Sequence, residues 1–356
     1  MMKNSLFILL VSGLSACTSA PSILEYDWSG KEVSCESTLM LSDSSLLGVA
    51  GLNMVGADDA VLYVRGGEYC LTLCRIEGDS LLWQRNLLRR GRGPGEAMTP
   101  MVYYLPELGK LCVFKDNMAS TEGIYWLHSD SVGNREDRMG TNWDMRWMPD
   151  KNPVRLSLPV DTTLFLADAP FGTDEMIGLY TYGQSEVVSI GLNYPAELAR
   201  YSPQRKAMAL GGFVAKCPGK NTFVYSSQHG RFVQIFDLQD DRAVNVRTVY
   251  NEMPRFDLDE ANGGIRFRNE SQLGFWVSAT ANYIYLLDAG MCIGEMRQGR
   301  QGERTVNVFD WDGNPVRKLR FDRNFDMFSV DPEDKYLYFN TTDIEAGMEQ
   351  IRRVAL

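Results

Sequence analysis

The stretch Tyr336-Leu337-Tyr338-Phe339 is a short apolar run that mixes aromatic and aliphatic residues, and five comparable runs precede it along the chain. This composition favours a buried β-strand. The central residues of the six runs lie about 50 to 60 residues apart, a spacing typical of repeat architectures. They are Leu62, Leu111, Leu164, Phe223, Tyr285 and Tyr338. The sequence therefore predicts six copies of one supersecondary unit.

Each unit contains further strands around its anchor run. The clearest case is Val306-Asn307-Val308-Phe309, which alternates as a strand does and leads into the turn Asp310-Trp311-Asp312-Gly313-Asn314. Another strand follows over residues 316–321, and candidate inner strands precede the anchors. Four strands per unit and six units predict an all-β, six-bladed β-propeller. Long helical periodicity is absent, which argues against a doubly wound α/β fold.

The two ends of the chain bear on how the ring closes. The last unit supplies strands near Phe325, Tyr336 and residues 350–354, and then the chain ends without a fourth strand. Residues 33–41 alternate as a strand would and have no blade of their own. We therefore expect this N-terminal strand to complete the last blade, so that no sheet edge is left exposed.

The N-terminus has the layout of an export signal. Lys3 precedes an apolar run over residues 6–10 that is too short to span a bilayer, and Leu14-Ser15-Ala16-Cys17 follows. The tetrapeptide resembles a bacterial lipobox, in which the Cys is acylated and becomes the new N-terminus. An ordinary cleavage site beside a chance Cys is the alternative. We expect a signal peptide over residues 1–16, a lipidated tether over 17–32 and a single propeller over 33–356.

Charge and cysteine content narrow the function classes. The chain carries a formal net charge of −10 and no dense basic patch, so we expect no nucleic-acid partner. Cys70 and Cys74 lie in one predicted strand, where four residues span about 13 Å, too far for a disulfide. Buried, packed thiols are favoured there over a zinc site, since no second Cys pair and no nearby His accompany them.

One string of residues is specific enough to suggest a family. Arg89-Arg90-Gly91-Arg92-Gly93-Pro94-Gly95-Glu96 follows the last strand of the first unit. With a signal peptide of this kind and a chain of this length, it resembles the TolB-like six-bladed propeller lipoproteins of Bacteroidota. The segments around Phe309 and Tyr336 look like the related NHL-type blade signature. The resemblance implies a propeller in the cell envelope and no established activity.

The same resemblance bears on the side of the membrane. Surface-displayed lipoproteins of this phylum usually carry acidic residues directly after the lipidated Cys, whereas Thr18-Ser19-Ala20-Pro21-Ser22 has none. An outer-membrane lipoprotein that faces the periplasm is therefore the expectation.

Candidate ligand-binding residues cluster in two glycine-rich segments. Propellers commonly bind ligands on the face where blade-joining loops meet the loops between second and third strands. The string at residues 89–96 joins two blades, and residues 289–304 form a long loop after a second strand. Arginines held on glycine-rich backbone can grip a carboxylate, phosphate or sulfate. The candidates are Arg89, Arg90, Arg92, Glu96, Arg297 and Arg300; turn glycines and local ion pairs are the alternative explanation.

Metal-dependent chemistry is a second hypothesis. Asp116, Asp168 and Asp288 end second strands, and carboxylates around a channel mouth could hold calcium, which takes six to eight oxygen ligands. Gluconolactonase-type propeller hydrolases resemble this outline but use a Glu on the first inner strand, where this chain offers only Asn53. Strand-ending aspartates that hydrogen-bond to turns are the alternative. His229 could face the same mouth and act as a general base. The alternative is that it is a solvated histidine in a loop.

Two functions therefore remain open. The first is an envelope lipoprotein whose propeller binds a protein, peptide or glycan without catalysis. The alternative is a metal-dependent propeller hydrolase or lactonase. The weakness of the metal and histidine patterns favours the first, and no cofactor other than a possible calcium ion is implied.

Overall fold

The computed structural model describes residues 26–42, 49–115, 121–128, 144–148, 155–168, 173–184, 186–343 and 347–356. Six β-sheets follow one another along the described chain, each with four antiparallel strands in the order of a blade. The sixth takes one of these four strands from the N-terminus, and the first and fifth each carry an additional short parallel strand. First strands of neighbouring blades contact one another, which places them on the inner wall of the ring. The predicted all-β six-bladed propeller with four-stranded blades is confirmed.

The strand bounds are as follows. Two strands precede the first blade, β1 (Glu32–Cys35) and β2 (Thr38–Ser42). Blade 1 contains β3 (Val49–Met54), β4 (Asp59–Val64), β5 (Tyr69–Glu77), β6 (Ser80–Arg90) and the short β7 (Glu96–Ala97); blade 2 contains β8 (Met101–Leu105), β9 (Lys110–Lys115), β10 (Gly123–His128) and β11 (Asp144–Trp147). Blade 3 contains β12 (Leu156–Pro159), β13 (Leu164–Asp168), β14 (Glu175–Thr181) and β15 (Val187–Asn193); blade 4 contains β16 (Gly212–Lys216), β17 (Thr222–Ser227), β18 (Arg231–Gln239) and β19 (Arg242–Glu252).

The hairpin β20 (Phe256–Asp259) and β21 (Gly264–Phe267) separates blades 4 and 5. Blade 5 contains β22 (Phe275–Ala279), β23 (Tyr283–Asp288), β24 (Thr305–Asp310) and β25 (Pro315–Phe321); blade 6 contains β26 (Phe328–Val330), β27 (Tyr336–Asp343) and β28 (Met348–Ala355). A helix at Pro203–Leu210 precedes blade 4, and a short helix at Ile293–Arg297 lies inside blade 5. Among the described residues, no helix has the length and apolarity needed to cross a bilayer.

The core is divided into six apolar clusters, one at each boundary between blades. For example, Leu62 of blade 1 and Tyr338 of blade 6 belong to one cluster, and Phe114 of blade 2 and Phe165 of blade 3 belong to another. Because every boundary has such a cluster, including the one between blades 6 and 1, the ring is closed by packing as well as by strand pairing.

The six anchor runs are the second strands of the blades. A second strand has sheet neighbours on both sides and another blade above and below, so side chains on both of its faces are buried; in β9 every residue after Lys110 is buried. A strand of this kind is a continuous apolar run rather than an alternating one. This is why the anchors stand out in the sequence.

The N-terminal segment closes the ring, as predicted, but it does so with two strands instead of one. Strand β2 pairs antiparallel with β28 and completes blade 6. Strand β1 pairs in parallel with β25 and adds a fifth strand to blade 5. Ser37 lies where the chain crosses from blade 5 to blade 6. Its hydroxyl donates to Asp322 and its carbonyl accepts from Arg352, which holds the crossing in place.

Residues 26–31, which the sequence assigned to the tether, also pack on the propeller. The Tyr26 ring lies 5.3 Å from that of Tyr250 in blade 4 and 4.9 Å from that of Phe309 in blade 5, between centroids. The Trp28 ring lies 5.5 Å from Phe309. The Tyr26 hydroxyl donates to the carbonyl of Val249 at 2.7 Å, and burial raises its pKa. The N-terminal segment therefore bridges blades 4, 5 and 6.

The six cysteines in the described part of the chain are all free thiols. Five of them are buried, including Cys70 and Cys74 on β5, as the spacing on one strand predicted. Burial raises the pKa of the Cys74 thiol to about 12 and that of the Cys112 thiol well above its usual range, which keeps both protonated and unreactive at neutral pH.

Candidate functional site

Most of the candidate residues lie on one face of the ring, called here the upper face: the face at which the second strand of each blade ends and the next blade begins. Because all blades share one strand order, the ends of β4, β13, β23 and β27 meet there. The glycine-rich string after β6 and the long segment after β23 reach the same face. Asp116 and Cys17 fall outside the described residues.

The string at residues 89–96 is held together by its own contacts. Glu96 turns back so that its Oε2 accepts the N–H of Gly93 at 2.8 Å, and a Cβ added to Gly91 would lie 2.0 Å from the same oxygen. Gly95 adopts a φ of +73°, where glycine is favoured. Glu96 and two of the glycines therefore shape the loop.

The three arginines of this string differ in whether their guanidinium groups are already bonded to other residues of the protein. Arg89 pairs with Glu68 at 2.6 Å and stacks over the Tyr69 ring, while Arg90 donates to the carbonyls of Gly67 and Val64. Arg92 is exposed, and its guanidinium has no bonded partner in the described structure. Of the three predicted candidates here, Arg92 is the one left available to a ligand.

A buried lysine, which was not among the residues predicted from the sequence, holds the loop at residues 89–96 in place through hydrogen bonds. Lys115 ends β9 and is fully buried, and its Nζ donates to the carbonyl of Arg92 at 2.8 Å. The same Nζ lies 4.6 Å from the centre of the Trp147 ring and 3.6 Å from a carboxylate oxygen of Glu122. A buried ammonium needs such a set of partners, so the loop and blade 2 are locked to each other.

The second glycine-rich segment, residues 289–304, is anchored in a similar way. Arg297 donates to the side-chain oxygen of Asn269 at 2.8 Å and to the carbonyl of Phe267. Arg304 is almost fully buried and donates to the carbonyls of Ala289 and Phe325 and to a carboxylate oxygen of Asp326. Arg300 stays exposed, with the carboxylate of Glu295 as its nearby charge.

The candidate metal ligands Asp168 and Asp288 are each paired with an arginine. Asp168 lies 3.3 Å from Arg155 and accepts the Ser157 hydroxyl at 2.6 Å; burial nevertheless raises its pKa. Asp288 accepts from Arg231 at 3.0 Å and from the N–H of Gly290 at 2.8 Å. The two carboxylates belong to blades 3 and 5. Within the described ranges, no three His, Cys, Asp or Glu side chains converge as a metal site would require.

His229 is placed by packing rather than by a reaction partner. Its ring lies 4.0 Å from the Phe267 ring of the β20–β21 hairpin, between centroids. Its Nδ1 is buried and makes no hydrogen bond with the described residues. Burial lowers the pKa of His229, so the imidazole is neutral at pH 7.

A cleft of about 800 Å³ lies on the upper face over blade 6. Its walls come from the link between β25 and β26, the end of β27, the start of β28, residues 301 and 304 of blade 5, and Arg65 of blade 1. Two arginines in it, Arg65 and Arg323, are exposed and have no bonded partner among the described residues. Arg304 lies against its blade 5 wall.

The sequence analysis missed Arg65 and Arg323. Arg65 directly follows a second strand, which is the position that identified Asp168 and Asp288 as candidates. A basic residue at that position reaches the same face as a carboxylate or an amide, so the position of Arg65 was predictable from the sequence. Arg323 lies in a link between blades, which is where the glycine-rich string also lies, but no glycine pattern marks it.

Fold and site together define a six-bladed β-propeller with a polar cleft on its upper face. The chain belongs to the family described as TolB-like 6-blade propeller-like, whose model matches residues 79–333. No curated protein matches the sequence significantly.

Two solved structures are similar to the chain at low identity. The β-propeller domain of Myceliophteria thermophila Cps50 (Swd1) has a TM-score of 0.44 at 11% identity, over 89% of this chain and 99% of that one. Chaetomium thermophilum Raptor has a TM-score of 0.42 at 12% identity, over 84% of this chain but only 22% of Raptor.

Proposed function

We propose that the protein is an envelope lipoprotein of the Bacteroidota type whose propeller binds a protein, peptide or glycan in the upper-face cleft and leaves it chemically unchanged. The observation that carries the proposal is the cleft itself. A concave site of about 800 Å³ is within the range that ligand pockets occupy, and it lies where blade-joining loops and second-strand ends meet.

The state of the candidate catalytic groups supports binding without chemistry. Asp168 and Asp288 are each matched by an arginine and a further hydrogen-bond donor. Such pairing occupies part of the lone-pair capacity that a metal ion or a substrate proton would use. His229 is packed against Phe267, and its buried Nδ1 makes no hydrogen bond with the described residues.

The lipid anchor rests on the sequence Leu14-Ser15-Ala16-Cys17. The described chain starts at Tyr26, which is docked against blades 4 and 5, so a short segment would join an acylated Cys17 to the rim of the ring. The absence of acidic residues directly after Cys17 supports an outer-membrane protein that faces the periplasm.

The anchor is tested by metabolic labelling with palmitate in cells that express the full chain. Cys17→Ser should remove the label and release the protein from the membrane fraction, whereas the matched control Cys292→Ser should keep both. Label that persists in Cys17→Ser would refute lipidation at this residue.

Ligand binding is tested by photo-crosslinking in the same cells. A benzoylphenylalanine placed at Thr342 in the cleft should give a defined adduct, and one at Asp241 should not, because Asp241 is in the exposed β18–β19 turn on the opposite face. Once the adduct identifies the ligand, the free ligand should keep its mass after incubation with the wild-type protein. Adducts at Asp241 alone would contradict the site, and a ligand converted to a new mass would contradict binding without catalysis.

A further inference from the structure

The charged side chains around the cleft differ in whether they are already bonded. Four carboxylates line the cleft: Asp322 accepts from the Ser37 hydroxyl, Asp326 from Arg304, Asp343 from the Gln350 amide and Glu349 from the Thr342 hydroxyl. These carboxylates are held by the protein, and one of them is neutralised by a buried guanidinium.

The arginines Arg65 and Arg323 are in the opposite situation. Both are exposed, both line the cleft, and neither has a bonded partner in the described part of the chain. Two guanidinium groups are therefore left to meet an anion from outside, each through a forked pair of N–H donors.

Arg304 adds a fixed donor to the same site. Three of its N–H groups donate to Phe325, Ala289 and Asp326, at 2.9, 2.6 and 2.8 Å. A guanidinium has five N–H donors, so two are not used by these bonds. Because Arg304 is almost fully buried, its position is set before any ligand arrives.

The remaining lining indicates the class of ligand. Beyond the charged residues the cleft is lined mainly by amide and hydroxyl side chains, such as Gln301, Asn324 and Thr342. Phe325, its one aromatic residue, is buried in the core and offers no exposed ring. A peptide gains affinity by placing apolar side chains in pockets, and apart from Phe325 the described lining offers only the apolar side chain of Met327. A saccharide is instead held by many hydrogen bonds to its hydroxyls.

We propose that the cleft binds an acidic saccharide, with Arg65 and Arg323 holding its carboxylate or sulfate groups and the amide and hydroxyl side chains holding its hydroxyls. This inference rests on the proposed function, since it names the ligand class of the same site. Arg65 follows β4 of blade 1 and Arg323 lies in the link from blade 5 to blade 6, so the ligand would extend over blade 6.

The test uses the full chain, purified in detergent, on an array of neutral, uronic-acid-containing and sulfated oligosaccharides. The strongest binder is then titrated by calorimetry into wild type, Arg65→Gln, Arg323→Gln and the control Arg242→Gln. Arg242 is an exposed arginine at the start of β19, directly after the β18–β19 turn of the opposite face. All three arginines are exposed, so the substitutions should leave the fold intact, which thermal melting verifies.

We expect acidic glycans to bind and neutral analogues of the same backbone to bind weakly. Arg65→Gln and Arg323→Gln should each raise the dissociation constant about tenfold, and Arg242→Gln should leave it unchanged. The uronic and sulfated arms of the array distinguish the two kinds of anion. Affinity should fall as salt is raised.

Three results would overturn the inference. Preference for neutral glycans would refute the acidic class and leave the proposed binding function standing. Equal affinity of wild type and the two cleft variants would refute the site. Failure of every glycan on the array would refute a saccharide ligand, while a Thr342 adduct to a protein in the crosslinking experiment would still support binding in the cleft.

Discussion

Replacing Tyr26 tests whether the N-terminal segment is part of the propeller. Its ring makes edge-on contacts with Tyr250 and Phe309, and its hydroxyl donates to Val249. Tyr26→Phe removes only the hydrogen bond and should cost about 1 kcal/mol. Tyr26→Ala also removes a half-buried ring and two aromatic pairs, each worth about 0.5–1.5 kcal/mol, so we expect about 3 kcal/mol in all.

The assay is urea denaturation and thermal melting of the full chain. With an unfolding entropy of about 2 cal/mol/K per residue over the ring, 3 kcal/mol corresponds to a melting temperature lowered by about 4 °C. The matched control is Trp83→Ala, because Trp83 is 64% exposed on β6 and should change stability by less than about 0.5 kcal/mol. If Tyr26→Ala behaves like the control, the N-terminal segment is not docked between blades 4 and 5.

The other predictions concern the upper face. Lys115→Met should lower stability by about 3 kcal/mol, measured by urea denaturation, because the carbonyls of the glycine-rich string lose their buried donor; an unchanged midpoint would contradict that role. Gly91→Ala should cost about 1–3 kcal/mol in the same assay, since its Cβ would collide with Glu96. Glu96→Ala should relieve only part of that cost in the double variant, because the φ of +157° at residue 91 still disfavours alanine. Burial lowers the pKa of His229, so below about pH 6.5 the unfolded chain takes up a proton more readily than the folded one. Stability should therefore fall between about pH 7.5 and 5.5, less steeply in His229→Gln; identical slopes would show that His229 does not titrate in this way.

The fold was predictable because its signal is local. Second strands are buried on both faces, so each is a short continuous apolar run, and six of them at similar spacing identify a propeller. The split of the N-terminal strand was not predictable in this way. Strands β1 and β2 differ in which blade they join, and the passage at Ser37 depends on Asp322 and Arg352, which are distant in sequence.

The site was harder to predict because the availability of a charged residue depends on partners elsewhere in the chain. Arg297 is occupied by Asn269, and Asp288 by Arg231, 57 positions away. The sequence shows that each residue is charged and lies in a loop or at a strand end. It does not show that the hydrogen-bonding groups of each are already bonded to another residue. Arg65 is left available for the same reason, since no acidic side chain in the described structure reaches it.

The most direct test of the account is a crystal structure of the full chain soaked with the acidic oligosaccharide that binds most tightly. The account predicts density for the ligand in the cleft over blade 6, with its anionic groups about 3 Å from the guanidinium nitrogens of Arg65 and Arg323. Ligand density on the opposite face or in the central channel, with the cleft empty, would contradict it.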